Sequence, residues 1–166
     1  MRFDIVTFTL LHVVLSLVGI IAGLVVAGGL ASGRRLDGWT GTYLATTVLT
    51  NLTGFGFPFP KFLPSHGVAV LSLIILPVVI YARYGKHLEG GWRRVFVAGG
   101  VIALYFNVFV LIAQLFRRIP ALIVLAPKQQ EPPFALTQIL VLALFIGLGR
   151  AAWKGFAGEP APAVAR

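Results

Sequence analysis

The chain has 166 residues, of which 58% are hydrophobic and only 11% charged, under half the ~25% charged content of a soluble domain. A soluble protein of this size has too little interior to hide so much apolar surface, which sets aside a soluble enzyme, a disordered regulator and a nucleic-acid binder. The net charge of +9 comes from 14 Lys and Arg placed mostly in short connectors between apolar runs, where such residues orient a membrane protein; the absence of cysteine removes disulfides, thiolate metal sites and a cysteine nucleophile.

Residues 5–31 form the first apolar run, longer than the 7–15-residue core of a signal peptide. With Arg34 and Arg35 behind it as a stop-transfer flank, it reads as a retained span. Its residues His12, Ser16, Gly19 and Gly23 share one helical stripe. Gly19 and Gly23 make a small-xxx-small pair that lets a neighbouring helix approach closely. A polar turn, Gly33 to Gly38, leads to a shorter run, 40–57, rich in threonine. Threonine can bond its hydroxyl back to a helix carbonyl, so lipid tolerates it. Pro58, Pro60 and Pro64 then restrain the residue before each of them, which predicts a stiff aromatic hairpin over 57–64.

The run 62–84 carries Pro77, which removes a backbone donor and predicts a kink. A glycine-flanked turn, 85–91, precedes the run 95–116, where Gly100, Ala103, Asn107 and Gln114 lie on one stripe. Residues 119–127 are apolar but too few to cross, so they form an interfacial segment or a lid over the bundle. Glu131, Pro132 and Pro133 stop the chain before the last run, 134–152. Residues 1–154 thus read as one transmembrane bundle, and 155–166, rich in Ala, Pro and Gly, as a disordered tail.

Charge decides the number of crossings. With five spans, one side carries Arg2, Lys61, Arg117, Arg118 and Lys128, and the other carries Arg34, Arg35, Arg83, Lys86, Arg93, Arg94, Arg150, Lys154 and Arg166. Without the 40–57 crossing the split falls from nine against five to eight against six. The positive-inside rule favours the lopsided arrangement. Five spans also bring Trp39, Trp92 and Trp153 to the basic interface, the depth indole rings prefer. The expected fold class is therefore all-α: an integral membrane bundle of five transmembrane helices, N-terminus outside, C-terminus cytoplasmic.

Polar side chains within spans are costly and face the protein interior. At ~1.5 Å per residue, His12 lies about 10 Å from the outer end, Asn51 about 9 Å, Gln138 about 6 Å and Gln114 about 5 Å, with His66 nearer the surface and Asn107 near the midplane. The inner half has almost none beyond its connectors. Two readings follow. Asn and Gln can simply bond neighbouring helices, at about 0.6 kcal/mol each. Alternatively Ser16, Asn51, Asn107, Gln114 and Gln138 line a polar pocket beneath the outer hairpin, sized for a lipid or quinone, in an accessory or assembly subunit that associates with other membrane proteins or with itself. His12 and His66 form the one imidazole pair with the two-helix placement of a bis-His b-type haem, giving an electron-transfer alternative. A small oligomeric transporter or channel, lined by Thr46, Thr47, Thr50, Asn51 and Thr53, is a third, although no span holds a central acid. Nothing pairs the outer acids Asp4 and Glu131 as acid and base, and no zinc or phosphate-loop pattern occurs, so the sequence leans away from an enzyme.

The segments Thr53-Gly54-Phe55-Gly56-Phe57-Pro58-Phe59, Leu63-Pro64-Ser65-His66, Leu104-Tyr105-Phe106-Asn107-Val108-Phe109-Val110 and Glu131-Pro132-Pro133-Phe134 resemble a group of small bacterial integral membrane proteins of unknown function, over roughly residues 5–152. That resemblance implies the bacterial inner membrane and no particular activity. Through His12 and His66 alone the chain also resembles small membrane haem proteins with four-helix cores. Their usual second histidine pair is missing, so this resemblance implies at most one haem.

Overall fold

The computed structural model describes residues 4–58 and 64–157, and every regular element among them is helical. Helix α1 spans Ile5–Ala31 and begins on the Asp4 carboxylate, which accepts from the Val6 N–H. It ends where Gly33 takes a positive φ of 72° and the Arg34 N–H reaches back to the Gly29 carbonyl, a glycine stop that satisfies carbonyls the helix leaves open. Helix α2 is Asp37–Gly54. Its threonines close on themselves as expected: Thr40, Thr42, Thr46 and Thr53 each donate to the carbonyl four residues back.

Helix α3, Pro64–Ile80, contains Pro77 and runs into a wider π-helical turn, Tyr81–Gly85. Helix α4 is Trp92–Arg118, the short α5 is Pro120–Leu125, and α6 is Pro132–Ala157. The two prolines opening α6 cost no hydrogen bond, because the first N–H groups of a helix have no internal partner. α1, α3 with its terminal turn, α4 and α6 are each long and apolar enough to cross a membrane.

The long helices alternate in direction. Along α1 and α2, Gly29 faces Leu36, Gly19 faces Thr46 and His12 faces Thr53, an antiparallel pair. Phe55 stacks on His66 at one end of α2 and α3, and Asp37 meets Arg83 at the other. α4 and α6 pair from Phe116 with Phe134 to Arg94 with Trp153. α6 then closes the ring against α1, and α1 also touches α4 across it. The chain therefore runs the length of the bundle five times, and Asp4 and Phe156 lie at opposite ends. One end collects Arg34, Arg35, Arg83, Arg93, Arg94, Arg150 and Lys154, and the other holds His12 and His66.

Three expectations meet the structure differently. α6 does not give way to a tail at residue 155: it continues to Ala157, because Phe156 is buried and its carbonyl accepts from the Arg93 guanidinium. The remaining tail residues, 158–166, lie outside the described residues. So do 59–63 of the expected aromatic hairpin, although Phe57 is described and packs on Phe8 with ring centroids 4.9 Å apart. The segment after α4 contains α5, which contacts α4 and buries none of its own residues.

Close approach is set by glycine. A Cβ on Gly155 would sit 2.2 Å from the Ala31 carbonyl oxygen, a backbone atom that cannot turn aside. We expect Gly155→Ala to cost about 1–3 kcal/mol and to lower the thermal midpoint of the detergent-solubilised protein. Gly147→Ala, on the same helix with open space around it, serves as the neutral control; equal midpoints for the two variants would refute the packing argument.

Candidate functional site

The polar residues of the spans are used largely to join helices. His12 Nδ1 lies 2.8 Å from Thr53 Oγ1, linking α1 to α2, and the His12 ring meets Phe57 edge-on at 5.1 Å. Asn107 donates to Thr47 Oγ1 at 3.3 Å, linking α4 to α2. Gln138 donates to the Phe109 carbonyl at 3.1 Å, linking α6 to α4. Asn51 donates within α2 to the Thr47 carbonyl, and Ser16 within α1 to the Val13 carbonyl. Gln114 is half-buried on α4. Thr47, Asn51 and Asn107 are thus brought together as one buried group. Three buried oxygens, on Thr50, Ser72 and Gln138, have no hydrogen-bond partner among the described residues.

The two imidazoles contact different residues of one segment. His12 is held by Thr53 and Phe57, whereas His66 is buried and stacks on Phe55 with ring centroids 5.7 Å apart. Both therefore pack against the last turn of α2 and the loop behind it. Among the described residues no group of three or more His, Asp or Glu is arranged to hold a metal ion.

The end of the bundle that carries the cationic cluster is less apolar than the sequence implied. The π-turn turns Ala82 and Arg83 both inward, one turn after the backbone donor that Pro77 lacks. The Arg83 side chain is only 10% exposed and pairs with the Asp37 carboxylate at the start of α2, itself 66% exposed; Arg35 stands 3.7 Å from the same carboxylate. Above this pair the Tyr43 hydroxyl donates to the Gly100 carbonyl at 2.7 Å, linking α2 to α4. In the sequence Arg83 figures only as one of the cations in the charge count, at the end of the run 62–84. The only hint in the sequence was a lone acid, Asp37, between the basic clusters.

Beyond the far ends of the spans, Gln129 ties the loop after α5 to the Ala113 carbonyl. Glu131 accepts from the backbone N–H groups of Lys128 and Gln130. Partial desolvation pushes the Glu131 carboxyl up, but these donors and the Lys128 cation outweigh it and hold it below the usual carboxylate range.

Two cavities open on the sides of the bundle, and none of the seven polar residues singled out in the sequence lines either. One, about 470 Å³, lies between Val48 of α2 and the stretch of α3 around Pro77. The other, about 560 Å³, is a groove between α4 and α6, within the ~300–1,000 Å³ of small-ligand sites. Its walls are Val101, Ile102, Leu142 and Phe145, Tyr105 stands at its deeper end, and Arg150, Trp153 and Lys154 stand at its basic mouth. Comparison with protein-family models, with curated proteins and with solved structures returns no match.

The Arg83–Asp37 pair makes an asymmetric prediction. Asp37→Ala leaves a buried guanidinium without its carboxylate and is expected to cost about 1–3 kcal/mol, discounted because Asp37 itself is well solvated. Arg83→Met removes the buried charge and returns Asp37 to water, so it should cost less and should restore stability in the Asp37→Ala background. Thermal unfolding in detergent measures the order; Arg83→Met proving the worse of the two would overturn it.

Proposed function

We propose that the chain is a non-enzymatic protein of the bacterial inner membrane that crosses the bilayer five times, with its N-terminus outside. It holds a lipid- or quinone-sized molecule and acts as an accessory or assembly subunit for other membrane proteins. The α4–α6 groove carries this reading: it is the larger of the two cavities, its walls are apolar, and it opens sideways toward where lipid would lie. The exposed apolar rows on α1 and α6, among them Leu10, Val14, Leu140 and Leu144, offer surfaces for lipid or for the helices of a partner.

A fifth crossing by α2 is supported by its packing between α1 and α3 and by hydroxyls bonded within the helix. Its 18 residues give about 27 Å, close to the ~30 Å hydrocarbon core. Its outward residues Ala45, Leu49 and Leu52 are apolar. The excess of cations at the Arg34 and Arg150 end supports placing that end in the cytoplasm.

Sidedness can be read directly, because the chain has no native cysteine. In intact spheroplasts a membrane-impermeant maleimide should label Gln130→Cys and spare Arg34→Cys until the cells are opened. Equal access at both positions, meaning an even number of crossings between them, would refute the topology.

The function is tested by gentle purification, followed by mass spectrometry of what co-purifies and a visible spectrum. The expected result is a lipid- or quinone-class molecule together with a membrane-protein partner, the small molecule being lost when Ala98→Phe fills the groove. A bare monomer refutes the proposal, and a Soret band abolished by His12→Ala replaces it with haem binding.

A further inference from the structure

The mouth of the α4–α6 groove differs from its walls. Arg150 and Lys154 stand one turn apart on the same face of α6, with Trp153 between them. Arg94 of α4 lies over the Trp153 ring at 5.5 Å and fixes the indole at the rim. Both ion pairs present among the described residues use Asp37, so neither Arg150 nor Lys154 is matched by a carboxylate there. From Leu142 to Lys154 the groove follows α6 for about 18 Å, comparable to one ~15 Å leaflet of the hydrocarbon core. Small residues, Ala98 and Gly149, line it where bulkier ones would narrow it.

We propose that this groove binds an anionic phospholipid of the surrounding bilayer. One acyl chain lies against Val101, Leu142 and Phe145, its far end near Tyr105, and the phosphate headgroup sits between Arg150 and Lys154 beside Trp153. Two cations that no carboxylate of the described residues matches, with an indole beside them, complement a phosphate. A neutral quinone would add no counter-charge to a pair of cations that the described residues leave without one. The proposal rests on the membrane-spanning reading above and narrows its ligand to one class.

The test is native mass spectrometry of the full chain in mild detergent, titrated with phosphatidylglycerol and with phosphatidylcholine of identical acyl chains. Wild type should retain phosphatidylglycerol preferentially. At about 1 kcal/mol per basic residue, Arg150→Gln with Lys154→Gln should weaken that retention about 30-fold and leave phosphatidylcholine unchanged. Arg34→Gln with Arg35→Gln, which removes equal charge from the same end of the bundle, should keep the preference. Circular dichroism and thermal unfolding establish that each variant is folded. Equal binding of the two lipids to wild type, or equal losses in the two double variants, overturns the headgroup assignment. Ala98→Phe separates the two levels: if it displaces both lipids without any headgroup preference, the groove stands and the anionic ligand falls; if it displaces neither lipid, the groove is no ligand site and both readings fall. Displacement of phosphatidylglycerol by an added neutral quinone at equal concentration also overturns the proposal.

Discussion

Between helices surrounded by lipid there is no hydrophobic reward for coming together, since acyl chains are as apolar as leucine. Association must come from close packing and from polar bonds that lipid cannot replace. This bundle uses both at identifiable places. Gly19 and Gly23 admit α2 and the side chains of Tyr43 and Leu104 against α1, Gly99 takes Val79 of α3, and Gly155 lets α6 lie on the α1 backbone. α1 is packed against α2, α6 and α4, and the ring closes where α6 meets it.

Within that frame most buried polar groups have a local solution, the exceptions among the described residues being oxygens of Thr50, Ser72 and Gln138. The threonines of α2 return to their own carbonyls, so a helix of low hydropathy presents little unsatisfied polarity. His12, Asn107 and Gln138 each reach a different helix, and Tyr43 and Arg83 do the same in the other half. These bonds are spread along the bundle rather than focused on one point. That distribution is what stabilisation of helix pairs requires.

The groove arises from the opposite circumstance. α4 and α6 touch through Phe116 with Phe134 and through Tyr105 with Phe145, and again where Arg93 and Arg94 meet Phe156 and Trp153. Between the last two contacts small side chains leave the helices with a seam that protein does not fill. Its apolar walls suit a hydrocarbon chain, and its basic rim is formed by Arg150 and Lys154 near the end of α6. Structure and proposed function meet here: the residues that hold α6 to α4 at both ends also define the length of the site.

Much of the architecture was legible in the chain. Runs of about 20 apolar residues can only be helices in lipid, because every backbone group must be satisfied internally; hence α1, α3, α4 and α6 could be read from residue type alone. The helical nature of α2, its self-bonded threonines, the close-packing stripe at Gly19 and Gly23, and the burial of Asn51, Asn107 and Gln138 were legible for the same reason. What each polar side chain bonds to was not, since partners such as Thr47 and Asn107 lie 60 positions apart and meet only when two helices settle at a given rotation. Nor was the inward turn of Arg83, which depends on a change of hydrogen-bond register after Pro77, or the extension of α6 through Phe156, which a glycine and alanine-rich sequence argues against until α1 and α4 provide a place to bury the ring. Sequence composition thus determined which segments are helical and which residues must avoid lipid, because solvation acts on each residue separately. Only the tertiary structure decided which groups meet and where a groove remains, because contacts and voids belong to pairs of surfaces.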